Sequence, residues 1–341
     1  MRIKKLENIT ELDNYPETSL FESKKWLQLI TSFYNFPVTL LLNDIGDIKL
    51  VTAETKKLYL SKFHSLPFSD YVIPNFSNAK EFNAGINYVK EKLKAPLNLS
   101  FKIVTQDLID SLTFPFQQSA WCHTVDTSNK VMIHKNMDNS FLRGIQKAEK
   151  NDLTVRFNVA KEAVERFYKL FHDLRIYKFK KIPQSKSWFL AVWETFIKTK
   201  NGFIIEVLKD EMVIASAIIL VNGQLLYYKY GASHKDHLKL RPNNILFDQL
   251  FLYAYQHGFT QVDLGISGIS DAYEGLRRFK SYMGGVEQPI YTYSHQPETF
   301  DDSLEAKIDK ITSLLTEEIV GLNLPIEKTS EYSEILYPYF A

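Results

Sequence analysis

The sequence predicts an α/β (α+β) fold in which mixed sheets are flanked by helices and one order of elements is written twice. Three observations carry that prediction. Apolar residues make up 45% of the 341, enough to build one large core or two ordinary ones. Runs rich in β-branched and aromatic residues alternate with segments of helical period. Each half reads helix, three strands, helix, strand, short helix, strand. A meander joined through a helix to a further strand gives a mixed sheet with helices on both faces.

In the first half, Ser19 and Glu22 have capping-box spacing, and Trp26, Leu27 and Ile30 follow on one helical face. "PVTLLL" and "IKLVTAE" form a hairpin around the turn Asp44-Ile45-Gly46-Asp47, and "KLYLSKF" is a third strand. Ser77 or Asn78 caps the next helix, where Phe82, Ile86, Val89 and Leu93 recur at helical spacing. "LNLSFKIV" is a strand, "QDLIDSL" a short helix and "SAWCHTV" a last strand. The polar segment 126–140 reads as a linker.

The second half opens with "LTVRF". Helices over about 161–174 and 186–199 precede a meander of "GFIIEVL", "MVIASAIILV" and "QLLYYKYGA". Pro242 suits a first helical turn, where its missing N–H costs nothing. That helix carries Ile245, Leu246 and Leu250 and stops near Gly258. "QVDLG" is the next strand, "DAYEGLRRFKSYMGG" a helix halted by Gly284-Gly285, and "QPIYTYSH" the closing strand. Leu304, Ile308, Ile311 and Leu315 mark a helix in the tail. The domains are therefore expected at 1–130 and 136–299, with the tail 300–341 packed on the first.

Composition narrows function. The 41 basic and 40 acidic residues leave a formal charge of +1, so nonspecific DNA binding, which needs surplus positive charge, is excluded. The basic run "KFKK" at 178–181 reads as a solvated helix end. A single cysteine, Cys122, excludes an intrachain disulfide and a cysteine metal site, and no His-x-x-x-His pair lies on a helical segment, so no metal is expected. No secretion signal or membrane-length apolar run is seen, which makes a cytoplasmic location the expectation.

"YKYGAS" at a strand end, "LRPNNILF" at a helix start, "DLG" closing a strand and "EGLRRFK" before "GG" form an ordered set, joined upstream by "RGIQKAEK" and "LPFSDYVIP". The set resembles the FemABX-like N-acyltransferases of the GNAT superfamily, and within them the BioF2-like acetyltransferase-domain proteins, over most of residues 20–295. The resemblance implies two tandem GNAT-like domains and transfer of an acyl or aminoacyl group to an amine. The donor would be acyl-CoA or aminoacyl-tRNA. The acceptor would be a small-molecule, lipid-linked or nucleotide-linked amine, such as a cell-envelope sugar, lipid or peptide precursor; a lipid-linked acceptor would bring peripheral membrane association. A catalytically silent nucleotide- or glycan-binding module is the competing reading.

Amine attack on an ester or thioester needs a splayed strand pair, oxyanion donors and a proton acceptor. Arg241, Asn243 and Asn244 stand at a helix start, where free N–H groups and the dipole favour phosphate. The glycine-rich phosphate loop of GNAT enzymes is missing from "HLKLRPNN". The resemblance assigns Lys280 to the oxyanion and Asp70 to the acceptor amine, on opposite walls of one channel. It assigns Arg143 to acceptor phosphates, with Tyr230 and Arg277 as further substrate-binding residues. Taken alone, Lys280 is a solvated lysine on an amphipathic helix and Asp70 an Asx-turn acid. Fem ligases of cell-wall precursors carry a lysine soon after the first-helix tryptophan, whereas Leu27, Gln28, Leu29 and Ile30 follow Trp26 here.

Overall fold

The computed structural model describes every residue except Asn14, Pro16, Val104, Thr113, Phe114 and Ala341; Val104, the expected end of the "LNLSFKIV" strand, lies outside the described residues. The chain divides into two units. The first comprises Met1–Trp121, Pro289–Thr312 and Pro338–Ala341, and the second Cys122–Gln288 and Ser313–Tyr337.

The first unit runs β1 (Arg2–Lys5), α1 (Lys24–Tyr34), β2 (Val38–Leu42), β3 (Ile48–Lys57), β4 (Leu60–His64), α2 (Ala79–Leu93), β5 (Leu97–Lys102) and α3 (Gln106–Asp110), and β6 (Phe116–Asp126) leads out of it. β1 to β4 form an antiparallel meander, and β5 returns parallel to β4 through α2. Asn78 is the cap of α2, accepting from the Glu81 N–H at 3.0 Å. The cap of α1 is Ser23, whose Oγ accepts from the Trp26 N–H at 3.3 Å, and not the expected Ser19. Glu22 is spent elsewhere. Fully buried, its carboxylate accepts from the hydroxyls of Tyr15, Thr18 and Ser19 and from the Ile73 N–H. Burial raises its pKa above the usual carboxylate range against the pull of those donors.

The second unit continues with α4 (Lys130–Lys135), α5 (Asn139–Lys150), β7 (Thr154–Asn158), α6 (Lys161–Asp173), α7 (Lys186–Val192), β8 (Gly202–Lys209), β9 (Met212–Asn222), β10 (Leu225–Ser233), α8 (Pro242–Gln256), β11 (Gln261–Gly268) and α9 (Glu274–Tyr282). The expected linker is instead mostly helical. Asn129 caps α4 through the Val131 N–H, Ile133 is buried, and Asp138 caps α5. β7 to β10 are antiparallel, and β11 returns parallel to β10 through α8. Tyr and Phe at the ends of α6 and α7 leave the α-helical register as π-turns over Leu174–Lys178 and Trp193–Ile197.

β12 (Val286–His295) pairs with β5 through Ile290–His295. In the tail, α10 (Asp302–Gly321) begins in the first unit, where Glu305 and Asp309 pair with Lys62 and Lys57 at 2.5 and 2.6 Å. The tail is shared, since residues 313–337 are grouped with the second unit. There Val320 packs with Ile176 and Ile182, and Ser330, on α11 (Ile326–Leu336), accepts from the Lys186 N–H at 2.8 Å.

Candidate active site

The site grows from a divergence of two strands. β10 and β11 pair only over Leu225–Tyr227 and Gln261–Asp263, although both strands run further. On its other edge β10 carries a bulge: Tyr228 faces Ile219 and Tyr230 faces Ile218, leaving Lys229 as the extra residue. A bulge bends a strand and re-aims its side chains. Beyond Tyr227, β10 therefore leaves β11 and opens a wedge.

A cavity of about 550 Å³ lies along the diverging half of β10. Tyr228, Gly231, Ala232 and Ser233 of β10 line it, with Asn243 of α8 and Leu170, Asp173, Leu174, Tyr177 and Phe179 from the α6 end. The wall of α6 is fixed by Glu206 of β8, which is fully buried. Arg166 of α6 donates to it at 2.6 and 3.1 Å, and Arg156 and Asn158 each at 3.0 Å. Burial pushes that carboxyl up, but Arg166, Asn158 and Arg156 outweigh it and hold the pKa below the usual range.

Gly231 is required by its neighbour. A Cβ there would lie 1.7 Å from the Tyr228 hydroxyl. The Tyr228 ring packs on Phe247 of α8, and burial pushes its phenol up to about 12. The Ser233 hydroxyl donates to Asn243 Oδ1 at 2.6 Å, which leaves the Asn243 amide N–H₂ to serve as a donor. In place of a glycine loop, Lys235–Leu240 form a 3₁₀ turn and Arg241 caps α8 at φ 66°.

Of the sequence-predicted residues, Asn243 lines the cavity. Asn244 does not: its Nδ2 donates to the Phe141 carbonyl at 3.2 Å and lies against Gly144, locking α8 to α5. Arg241 and Arg143 are exposed, Arg143 on α5 beside Asp138. The Tyr230 hydroxyl accepts from Trp188 Nε1 at 3.0 Å, and its ring packs on Phe189 and Phe171. Asp70 is half-buried in the first unit, on the loop where Ser69 accepts from Trp26 Nε1 at 2.8 Å.

Lys280 and Arg277 explain the cations of "EGLRRFK". Lys280 is 5% exposed, and its ammonium donates to the carbonyls of Gly265 and Ile266 at 2.9 and 3.0 Å. Arg277 donates to the carbonyls of Gly268 and, at 3.1 Å, Ser270. These carbonyls belong to the stretch of β11, and the turn after it, that β10 has left. Gly285, which ends the segment, sits with its Cα against the Lys280 carbonyl, where a Cβ would come within 2.6 Å. Cys122 is buried against Asp263, Sγ 3.4 Å from Oδ2. Sequence reasoning missed Tyr228, Ser233 and the Tyr177–Phe179 wall; only the β10 aromatics signalled them.

Residues 135–281 match the family model described as Acetyltransferase (GNAT) domain. The described chain is also similar in structure to FemX, with a TM-score of 0.64 at 14% identity over 93% of this chain and 100% of that one. Its similarity to L-PGS from Bacillus licheniformis has a TM-score of 0.52 at 14% identity, over 82% and 89%. No curated protein sequence matches. The class is thus a mixed α/β fold of the FemX kind. More particularly, the match to the acetyltransferase (GNAT) domain falls within the second unit. Among the described residues no helix is long and apolar enough to cross a membrane, and no three His, Cys, Asp or Glu side chains gather as a metal site.

Proposed function

We propose that the chain is an N-acyltransferase whose donor, acyl-CoA or aminoacyl-tRNA, enters the cavity along β10. The single observation that supports this most is the wedge: β10 turns away from β11 after Tyr227 and a cavity opens on its diverging half. An acyl carbonyl laid there lies along the edge of β10 that diverges from β11, where backbone N–H groups can serve as oxyanion donors. The acceptor amine attacks the carbonyl carbon, the C–N bond forms, and the C–S or C–O bond of the donor breaks. The amine gives up a proton and the leaving group takes one. Tyr228, kept as a phenol by burial, is the donor of that second proton, and the proton given up by the amine restores its phenol. Asn243 and Ser233 hold the donor's polar backbone. Lys280 acts as a positioning residue that fixes the β11 edge. The acceptor would be an amine on an envelope sugar, lipid or peptide precursor, with Arg143 of the second unit as a candidate contact.

The competing reading, a silent binding module, draws on one observation: the ammonium of Lys280 is already engaged by two carbonyls. A thermal-shift panel of CoA thioesters, charged tRNA and nucleotide sugars separates the readings, because a ligand of the native state raises Tm. A donor that raises Tm and is consumed with an amine supports the enzyme. A rise with nucleotide sugars alone, with no donor consumed, overturns it.

A further inference from the structure

A second cavity lies in the second unit, apart from the one along β10. It measures about 470 Å³, and Trp193, Ile197, Phe203, Val221, Tyr253 and Phe259 supply most of its walls. The two cavities share no lining residue. Val221 pairs with Leu226 near the start of β10, whereas Gly231, Ala232 and Ser233 line the donor cavity at the end of that strand. One wall is the π-turn Trp193–Ile197, a rare geometry found mostly where a helix is adapted to a function. Trp193 Nε1 donates to the Val159 carbonyl at 2.9 Å and so ties the turn to the chain that leaves β7.

Three features specify an occupant. The first is charge. The charged residues that line the cavity are Lys198 and Lys200, and no carboxylate lines it. Lys198 is spent on Glu194 at 2.7 Å and on the Trp193 ring, 5.6 Å from its centre. Lys200 is exposed, and no carboxylate pairs with it among the described residues. The second is Tyr253, whose hydroxyl bonds nothing among the described residues. Burial raises its pKa, so it stays a phenol and a donor at neutral pH. An ammonium and a phenol are both donors to a carboxylate. The third is that ring faces are already taken. Tyr253 stacks on both Phe157 and His257, with centres 4.5 and 3.9 Å apart, and Lys198 covers Trp193. A flat ring finds little open face here, while a run of methylenes can lie against ring edges and the methyls of Ile197 and Val221. Apolar walls with a few polar groups, at this volume, are what small-ligand sites consist of. We propose that this cavity binds a free alkyl carboxylate, a medium-chain fatty acid, with its chain on the apolar walls and its head at Lys200 and Tyr253. The proposal does not depend on the donor reading above.

The test is calorimetric titration of the full chain with octanoate, decanoate, 1-octanol and 2-naphthoate, with sedimentation on phosphatidylglycerol vesicles as a further arm. One decanoate is expected per chain, bound more tightly than octanoate by about fourfold per added methylene. Lys200→Gln should weaken octanoate about fivefold and leave octanol unchanged. Tyr253→Phe should weaken octanoate by about tenfold. Val159 lines the cavity and is 59% exposed, so Val159→Glu sets a like charge at its mouth and should weaken decanoate too. Lys200 and Val159 are exposed and the Tyr253 hydroxyl is unbonded, so all three variants should keep the wild-type Tm. If the three variants bind both carboxylates as wild type does, the head sits elsewhere and the proposal is overturned. Tighter binding of 2-naphthoate than of decanoate overturns it in favour of a flat aromatic acid. Capture by vesicles with no binding of a soluble acid overturns it in favour of a membrane-docking face. Uptake of many decanoates per chain is detergent-like and overturns it, as does no binding at all. In each of these cases the donor reading stands, because the two cavities share no residue.

Discussion

The two units meet the same geometric problem and solve it differently. In each, a meander strand pairs in parallel with a strand that returns through a helix, and in each the pairing is short. β4 and β5 pair at Phe63–Leu97 and His64–Asn98; β10 and β11 pair over three residues. In the first unit the chain closes its own wedge. Ser65 Oγ accepts from the Ser100 N–H at 3.1 Å, and the loop comes back so that the Val72 N–H donates to the Ser100 carbonyl at 3.0 Å and the Lys102 N–H to the Val72 carbonyl at 2.9 Å. Tyr71 fills the space beside it, 1% exposed, with Lys102 Nζ 4.9 Å from its ring centre. In the second unit no such segment returns among the described residues. A cavity occupies the β10 side, and Lys280 and Arg277 supply the β11 carbonyls with side-chain donors. A strand wedge can be spent on stability or kept for a ligand, and this chain does one in each half.

The comparison breaks most sharply at Val72. Val72→Pro removes the N–H that bonds Ser100 and puts a ring in a fully buried position. The expected cost to the first unit is about 3 kcal/mol or more, read as a drop in the urea midpoint. Unchanged stability would show that the plug is passive filling.

Lys280→Met is the matching change in the second unit. It keeps the aliphatic stem and deletes two charge-assisted hydrogen bonds, to the buried Gly265 carbonyl and the part-buried Ile266 carbonyl, which costs roughly 2–3 kcal/mol. Stability and donor binding should fall together, since the β11 edge loses its fixed position. A loss of turnover at wild-type stability would make Lys280 a group that acts on the reacting carbonyl instead.

The order of elements was legible because hydrophobic period and turn chemistry act locally, and both halves announce their meanders and crossover helices. The site was half legible. "LRPNN" does mark the helix at the cavity, but only Asn243 of its polar residues faces in; Asn244 is one residue on, and the helical rotation of 100° sends it into Gly144 of α5. Lys280 was read as solvated or catalytic because a sequence shows a charge without its partners. The partners are backbone carbonyls, and no residue type reports them. Ser23 was passed over as a cap for the same reason: Ser19 and Glu22 have the right spacing, but four donors already claim Glu22.

Gly231→Ala sharpens the open wedge. The added methyl meets the Tyr228 hydroxyl, whose ring is held by Phe247. Overpacking of this kind costs about 1–3 kcal/mol, and donor binding should weaken with it. Tyr228→Leu in the same chain should remove much of that cost, so a double-mutant cycle gives a coupling well away from zero. Additive effects would show that Gly231 is constrained by something other than Tyr228.

The smallest effect concerns the apex of the closed wedge and depends on pH. His64 is the last residue of β4 to pair with β5, and its Nε2 is buried with no hydrogen-bond partner among the described residues. Burial, then the charges of Lys62 and Lys57, push its pKa down from 6.5 to about 4. The folded state thus resists a proton that the unfolded chain accepts. The contribution of His64 is fully present above pH 6.5 and is lost as pH falls from there toward about 4. His295, lowered by burial and Lys90, acts in the same direction in the same unit. His64→Leu should therefore flatten the fall in urea midpoint between pH 6.5 and about 4.5, leaving the shallower slope of His295. An equal slope in variant and wild type would place the acid sensitivity outside the β4 apex. It would also show that the closed wedge carries no buried group that answers to pH.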